Sequence, residues 1–306
     1  MLPTQINEMK KTSIHGKGPE FSRIVAGAWR WNHVSPGELD ALIKQAIDLG
    51  ITTFDHADIY GDYGNELIFG DAIRRQPSLA KEMQTVTKCG IKLLSAARPE
   101  HRVKHYDTSK AHIIASVDNS LRLLAVEKID LLLIHRPDPL MQVKEVAEAF
   151  TSLKKEGKVL HFGVSNFSTS QFDLLQSALS FPLVTNQLEI SLFHPNYMFD
   201  GTIDHLYQLG VSPMAWSPLG GGKPLQAGHE GGNLLNEKAL PMMEKYGIDF
   251  PQLLLAWLLH HPANIFPVVG TSKPARLRDA AKVLDIRLDR QDWFQLLQWA
   301  RGHEVP

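Results

Sequence analysis

Short runs rich in Val, Ile, Leu and Thr recur along the chain, each followed by a stretch whose apolar residues repeat at helical spacing. This pattern predicts strands near residues 23–27, 51–55, 84–88, 130–135, 159–164, 183–187, 212–216 and 265–269. Residues Leu131 to Ile134 are apolar throughout, as suits a parallel strand covered on both faces. Several runs end in polar residues: FDHAD, VTKCG, LLIHRPD, GVSNF, TNQLE and AWSPLG. Polar groups at the carboxyl ends of successive strands predict an α/β fold, a (β/α)8 TIM barrel with its working face at those ends.

The helical stretches carry their own signals. Ser35-Pro36-Gly37-Glu38 reads as a capping box with Pro at the first helical position. Leu39, Leu42, Ile43, Ala46 and Ile47 then form one apolar stripe for the barrel wall. Val143, Val146, Phe150 and Leu153 repeat the pattern, and Gly157 marks a helix end. No linker, repeat or shift in composition divides the chain, so residues 1–306 read as a single barrel domain. Residues 1–22 precede the first barrel strand and are expected to close the barrel bottom as an N-terminal hairpin. Two stretches, 91–107 and 217–234, are too long for tight connections and read as long loops at the carboxyl face.

Composition narrows the function classes. An apolar fraction of 43% with 21% charged residues is ordinary globular usage, so a disordered chain is excluded. The 32 basic and 33 acidic residues leave a formal charge of −1 and no global field for nucleic acid or an anionic membrane. Cys89 is the sole cysteine, which excludes a disulfide framework and a thiolate zinc site. It adjoins Lys88 on a strand, so the two face opposite ways and Cys89 reads as a packing residue. The N-terminus resembles no secretory signal, and the apolar runs are shorter than the roughly 20 residues a membrane helix needs. The expectation is a cytoplasmic protein with a small-molecule substrate.

Four strand-end residues then stand out: Asp55, Tyr60, Lys88 and His135. Each alone is ordinary, since a loop tyrosine packs, a buried Lys and Asp pair, and a lone His hydrogen-bonds. Together, at the ends of predicted strands 2, 3 and 4, they form a proton-donor site. A free Tyr has a pKa of about 10 and needs nearby positive charge to release its proton. Lys88 would supply that charge, Asp55 would hold Lys88, and His135 would orient a substrate oxygen. His56-Ala57-Asp58 lacks an HxH or HExxH pattern, and no metal site is identified.

These segments resemble the aldo-keto reductase superfamily. FDHADIYG, VTKCG and DLLLIHRPDP are similar to its Asp-to-Tyr, Lys and His motifs; GKVLHFGVSNF, TNQLEIS and MAWSPLGGG are similar to its cofactor segments. The resemblance runs from about Arg23 to Asp279, and HADIYG, HYD, HRPDPL, HFGVSNF and PMAWS resemble the bacterial YdhF-type oxidoreductase branch. It implies NADPH-dependent reduction of an aldehyde or ketone, with Tyr60 as proton donor, and NADP(H) favoured over NAD(H).

The resemblance also implies roles beyond the catalytic four. Ser165, Asn166 and Gln187 would hold the nicotinamide carboxamide, and Trp216 would stack on its ring. Ser217, Leu219 and Gly220 would lie along the pyrophosphate. Gly270, Thr271, Ser272, Lys273 and Arg276 would meet the adenosine 2′-phosphate. The best-known members carry a lysine where Gly270 stands and an asparagine where Ala280 stands, leaving Lys273 and Arg276 as the cations. Gly27 would meet the cofactor, and Trp29, in the same strand-end segment, would line the substrate pocket. Arg136 either reaches the mouth and attracts polar or anionic carbonyl compounds or serves as a structural ion-pair residue. Two other readings stay open at this point: a barrel hydrolase or isomerase acting on sugar phosphates, and a regulatory subunit that binds NADP(H).

Overall fold

The computed structural model describes residues 11–305. Eight parallel strands close into a barrel, each beside its neighbour in chain order and the last pairing with the first. Those strands are β3 (Val25–Gly27), β4 (Thr53–Asp55), β5 (Gln84–Cys89), β8 (Ile129–Ile134), β9 (Val159–Ser165), β10 (Leu183–Glu189), β11 (Met214–Trp216) and β12 (Phe266–Val269). Each of the eight predicted strands overlaps one of them. Val25, Val86, Leu131, Leu133, Val184, Met214, Phe266 and Val268 point inward and fill the interior, so the barrel is a packed core rather than a pore.

The N-terminal hairpin is present as β1 (Lys11–Ser13) and β2 (Glu20–Ser22). Its Ile14 and Phe21 join the interior cluster. The Ser212 N–H donates to Ile14 O at 2.9 Å, and Ser22 and Thr53 exchange backbone-to-hydroxyl bonds. The hairpin therefore plugs the amino end of the barrel. Residues 1–10, included in the expected hairpin segment, lie outside the described residues.

The helix Pro36–Asp48 begins as its capping box requires, the Glu38 carboxylate accepting from the Ser35 N–H and hydroxyl. Its stripe of Leu39, Leu42, Ile43, Ala46 and Ile47 is buried on the wall. Gly157, at φ 71°, follows the helix Val143–Lys155 in the left-handed conformation that glycine favours. Both long segments carry structure. The first holds a small hairpin, β6 (Ile91–Lys92) with β7 (His105–Tyr106), and the second a turn of 3-10 helix over 220–225 followed by the helix Glu230–Lys238. Among the described residues no helix is long and apolar enough to cross a membrane.

Candidate active site

The site is built where β4, β5 and β8 end. Alternation along β5 turns Val86 and Lys88 into the barrel and Thr87 and Cys89 toward the outer helices. Lys88 is only 1% exposed, so its charge must be met inside. Its ammonium donates to Asp55 Oδ2 at 2.6 Å, to His56 O at 2.7 Å and to the Tyr60 hydroxyl at 3.2 Å. Three protons meet three acceptors, and the ammonium is fully satisfied. The other Asp55 oxygen accepts from Gln187 Nε2 at 2.8 Å.

Tyr60 owes its place to an unusual turn. Gly61, Asp62 and Tyr63 all adopt positive φ, of 58°, 55° and 69°. A Cβ on Gly61 would collide with Asn65 Oδ1, so glycine is required there. Asn65 in turn donates to Ala28 O and Trp29 O, which ties the β3 end to the Tyr60 turn. The Tyr63 hydroxyl accepts from the Leu93 N–H at 2.8 Å.

The electrostatics keep Tyr60 and Lys88 protonated and His135 neutral. Burial raises the Tyr60 pKa; Lys88 pulls it down, and Asp55 works against Lys88. The net direction is upward, so the lysine offsets only part of what enclosure does to the phenol. Burial also works against the Lys88 charge, yet Asp55 and Tyr60 outweigh it and hold the ammonium above its ordinary value. His135 is held well below the usual imidazole range by burial, then by Lys88, Arg136 and Lys104. It is therefore a neutral ring, packed edge-on to Tyr60 with centroids 5.8 Å apart.

The strand ends beyond His135 form a continuous polar rim. Ser165 Oγ donates to Gln187 O, Asn166 Nδ2 donates to Ser165 Oγ, and Trp216 Nε1 donates to Asn166 Oδ1 at 3.0 Å. Asn166 sits at φ 60°, a left-handed position that Asn tolerates. The Arg136 guanidinium lies 5.3 Å over the Trp216 ring and makes no ion pair among the described residues. It reaches the mouth and does not act as a structural ion-pair residue.

A cavity of about 660 Å³ collects these groups. Asp55, Tyr60, His135, Arg136, Ser165, Asn166, Gln187 and Trp216 line one part, with Gly27 and the 55%-exposed Trp29 at its edge. Ser217, Leu219, Gly270, Thr271 and Arg276 line the rest. Lys88 lies beneath the lining. Gly220, Gly221 and Gly222 turn through φ 62°, 68° and 80°, a run that glycine adopts without strain. Gly220, Ser272 and Lys273 do not line the cavity. Lys273 instead leans toward Glu38, where its charge helps hold that carboxyl low, after the Ser35 hydrogen bonds. A separate cleft of about 420 Å³ between Phe199 and Arg301 contains none of the predicted residues.

Several lining residues were not anticipated from the sequence. Arg30 Nη2 donates to Gly221 O at 2.8 Å, strapping the glycine segment across the mouth. Lys104, Ile59, Ile91 and Leu93 also line the cavity, as do Asp249, Gln252 and Asp279. Arg30, adjoining Trp29 at a strand end, was the one with a readable signal. His56 and Asp58, the metal-like pair, lie behind the barrel wall. Both His56 ring nitrogens lack partners, and its ring packs on Phe69 at 4.4 Å between centroids.

A family model described as "Aldo/keto reductase family" matches residues 23–299. The chain belongs to the aldo/keto reductase family. It is similar to oxidoreductase YdhF of Escherichia coli (strain K12), 46% identical over 97% of this chain and 100% of that protein. It is also similar to a 6-dehydroglucose reductase of Agrobacterium fabrum, 47% identical over 94% of this chain and 96% of the relative. Among solved structures, an aldo/keto reductase from Klebsiella pneumoniae in complex with NADP and acetate matches with a TM-score of 0.77. Its identity is 27%, and the match covers 97% of this chain and 96% of that one. An aldo/keto reductase is an oxidoreductase, which leaves no room for the hydrolase or isomerase reading.

Proposed function

We propose that this aldo/keto reductase reduces aldehydes or ketones to alcohols with NADP(H), and that Tyr60 delivers the proton. The observation that carries the reading is the Tyr60 hydroxyl, 3.2 Å from the Lys88 ammonium and opening onto the cavity shared with His135 and Trp216. On this reading the whole chain works as one barrel domain.

The residues present fit a nicotinamide dinucleotide. The rim of Ser165, Asn166 and Gln187 offers amide and hydroxyl groups to a carboxamide, and Trp216 offers a ring face. The left-handed glycine run bares backbone toward the cavity at Gly221 and Gly222, beside Ser217 and Leu219, where a pyrophosphate can approach closely. Arg276, with the start of the helix Pro274–Ala281, faces the far lining as an anion site for the 2′-phosphate. Thr271, Ser272 and Lys273 contribute from the segment that leads into that helix. When bound, the cofactor supplies a hydride to the carbonyl carbon. The Klebsiella relative solved with NADP supports this choice of cofactor.

The protein's own groups manage the oxygen. Negative charge develops there as the carbonyl is reduced, and a low-dielectric cavity makes a preorganised donor worth more than it is in water. Tyr60 donates its O–H to that oxygen, and neutral His135 stands ready to donate a ring N–H. As the proton leaves, the fixed Lys88 charge stabilises the phenolate. Trp29 and Arg136 border the substrate. Arg136, over Trp216 and with no acidic partner among the described residues, favours polar or anionic carbonyl compounds. The 6-dehydroglucose reductase relative makes a sugar aldehyde a reasonable first substrate to assay.

The test is Tyr60→Phe. It is expected to bind NADPH with wild-type affinity, read by quenching of tryptophan fluorescence. Reduction of a reactive aldehyde should fall by about three orders of magnitude or more. Turnover near wild type would refute the assignment.

A further inference from the structure

Tyr60 and Lys88 are held from behind by two enclosed carboxyl groups that take no part in the chemistry above. Thr87, turned outward beside Lys88, donates its hydroxyl to Glu66 Oε1 at 2.7 Å. Ser120 Oγ donates to the other Glu66 oxygen at 2.9 Å. Asp58, two residues before Tyr60, accepts from Ser116 Oγ at 2.8 Å, and its backbone N–H donates to Lys88 O at 3.0 Å. Ser116 and Ser120 stand one turn apart on the helix Lys110–Leu124, so one helix face grips both acids.

Neither acid has a cation in contact among the described residues, and Asp58 Oδ1 is sealed from solvent with no partner at all. Their side-chain donors are neutral hydroxyls, and the Ile59 backbone N–H adds a further neutral donor at Asp58. Two carboxylates in such a setting do not both ionise readily. Burial, the leading cause for each, lifts Asp58 to about 7 and Glu66 to about 7; Glu66 adds to the rise at Asp58.

We propose that Asp58 and Glu66 are a positioning pair that retains a proton and, through Thr87 and the Tyr60 turn, holds Lys88 and Tyr60 in register for proton delivery. The proposal rests on Tyr60 being the donor. When the last proton leaves, two like charges oppose each other across a low-dielectric space. Glu66 cannot withdraw without moving Thr87 and β5, and Asp58 cannot withdraw without moving the turn that carries Tyr60. The 3.2 Å contact between Tyr60 and Lys88 is then lost, and turnover falls as pH rises through neutrality.

Other titratable groups face the pair from every neighbouring element: His56 and Tyr63 from the Tyr60 segment, Lys88 and Cys89 from β5, Lys92 from β6, and Asp107 and His112 beyond β7. Burial and then Lys88 take His56 down to about 3; burial and then Lys92 take His112 down to about 4. Burial pushes Tyr63 and Cys89 up, and the Ser109 hydrogen bonds bring Asp107 down against its burial.

The experiment compares kcat and KM for a reactive aldehyde at saturating NADPH from pH 5.5 to 9. The wild type, Glu66→Gln, Thr87→Val and Tyr60→Phe are measured in parallel. Gln keeps an acceptor for Thr87 but cannot ionise. The wild-type kcat is expected to fall above pH 7, and in Glu66→Gln that limb should move up by a unit or more. The ratio of kcat at pH 8 to kcat at pH 6 then rises about tenfold over wild type. Thr87→Val, nearly isosteric, should lower kcat several-fold with KM within about twofold. Superimposable wild-type and Glu66→Gln profiles, or a loss equal at every pH, would overturn the proposal, as would an unchanged kcat in Thr87→Val. If Tyr60→Phe stays active, the donor assignment itself has failed. If Tyr60→Phe is inactive while the Glu66→Gln profile is unmoved, only the positioning pair has failed.

Discussion

Lys88 Nζ lies 2.6 Å from Asp55 Oδ2, with the lysine and aspartate side chains 1% and 3% exposed. Removing one partner of so enclosed a pair leaves an uncompensated charge, at a cost of about 3–5 kcal/mol. Asp55→Asn should therefore lower the unfolding free energy by about that amount in urea titration. It should also cut kcat steeply, because Lys88 then loses its reason to stay charged beneath Tyr60. The pH sign follows from Lys88, whose folded value is raised. Its stabilising contribution is complete below the unfolded lysine value, about 10.4, and is lost as pH rises through the higher folded value. A variant as stable as wild type at pH 7 would show that the pair carries little of the barrel's stability.

The Arg30 to Gly221 bond joins the end of β3 to the glycine strap. Arg30 is exposed, so the bond is worth about 1 kcal/mol. Arg30→Ala should speed cofactor release by roughly threefold to tenfold in stopped-flow fluorescence, with the barrel's melting temperature unchanged. An unaltered release rate would place closure of the strap elsewhere.

Arg276 lines the cavity and Lys273 does not, although both belong to the segment assigned to the 2′-phosphate. Arg276→Ala should raise the NADPH dissociation constant about tenfold while changing that of NADH less than twofold. Lys273→Ala should have the smaller effect. Equal loss for both cofactors in Arg276→Ala would remove the phosphate assignment.

His56 sits against Phe69 with neither ring nitrogen bonded among the described residues, and burial, followed by Lys88, lowers it to about 3. For a base held neutral in the fold, stability is complete above the unfolded value near 6.5 and is lost as pH falls toward the folded value. His56→Leu should relieve roughly 4 kcal/mol of acid destabilisation at pH 3 relative to wild type. Its carbonyl, which accepts from Lys88, is retained. Acid unfolding curves that coincide for the two proteins would rule the effect out. Asp58 and Glu66 act in the opposite direction, their contribution being complete below about pH 4 and lost as pH rises to about 7. Only the difference between variant and wild type isolates His56.

Much of this was legible in one dimension. Strand positions followed from runs such as Leu131–Ile134, because parallel strands buried on both faces admit little but branched apolar residues. Asp55, Tyr60, Lys88 and His135 were legible because strand-end polarity in a barrel points to one place. Arg30 had a strand-end signal beside Trp29, but its reach to Gly221 was not legible, and neither were Lys104, Glu66 and the role of Asp58. Arg30 and Lys104 belong to loops whose course depends on packing, and Glu66 sits in a helix where a lone acid ordinarily faces solvent. The net effect on Tyr60 was also out of reach, because the sequence names the lysine without the depth of burial that outweighs it.

The sequence by itself determined the barrel, the family and the inventory of chemical groups at its mouth, since periodicity and strand-end polarity are local properties of the chain. The tertiary structure decided which of those groups meet. Lys88 reaches Tyr60 across 28 residues, Gln187 reaches Asp55 across 132 and Arg30 reaches Gly221 across 191. It also decided that Lys273 turns from the cavity and that two acids stand behind the wall. Distance and enclosure set the energies of these contacts, and neither is a property of residue order.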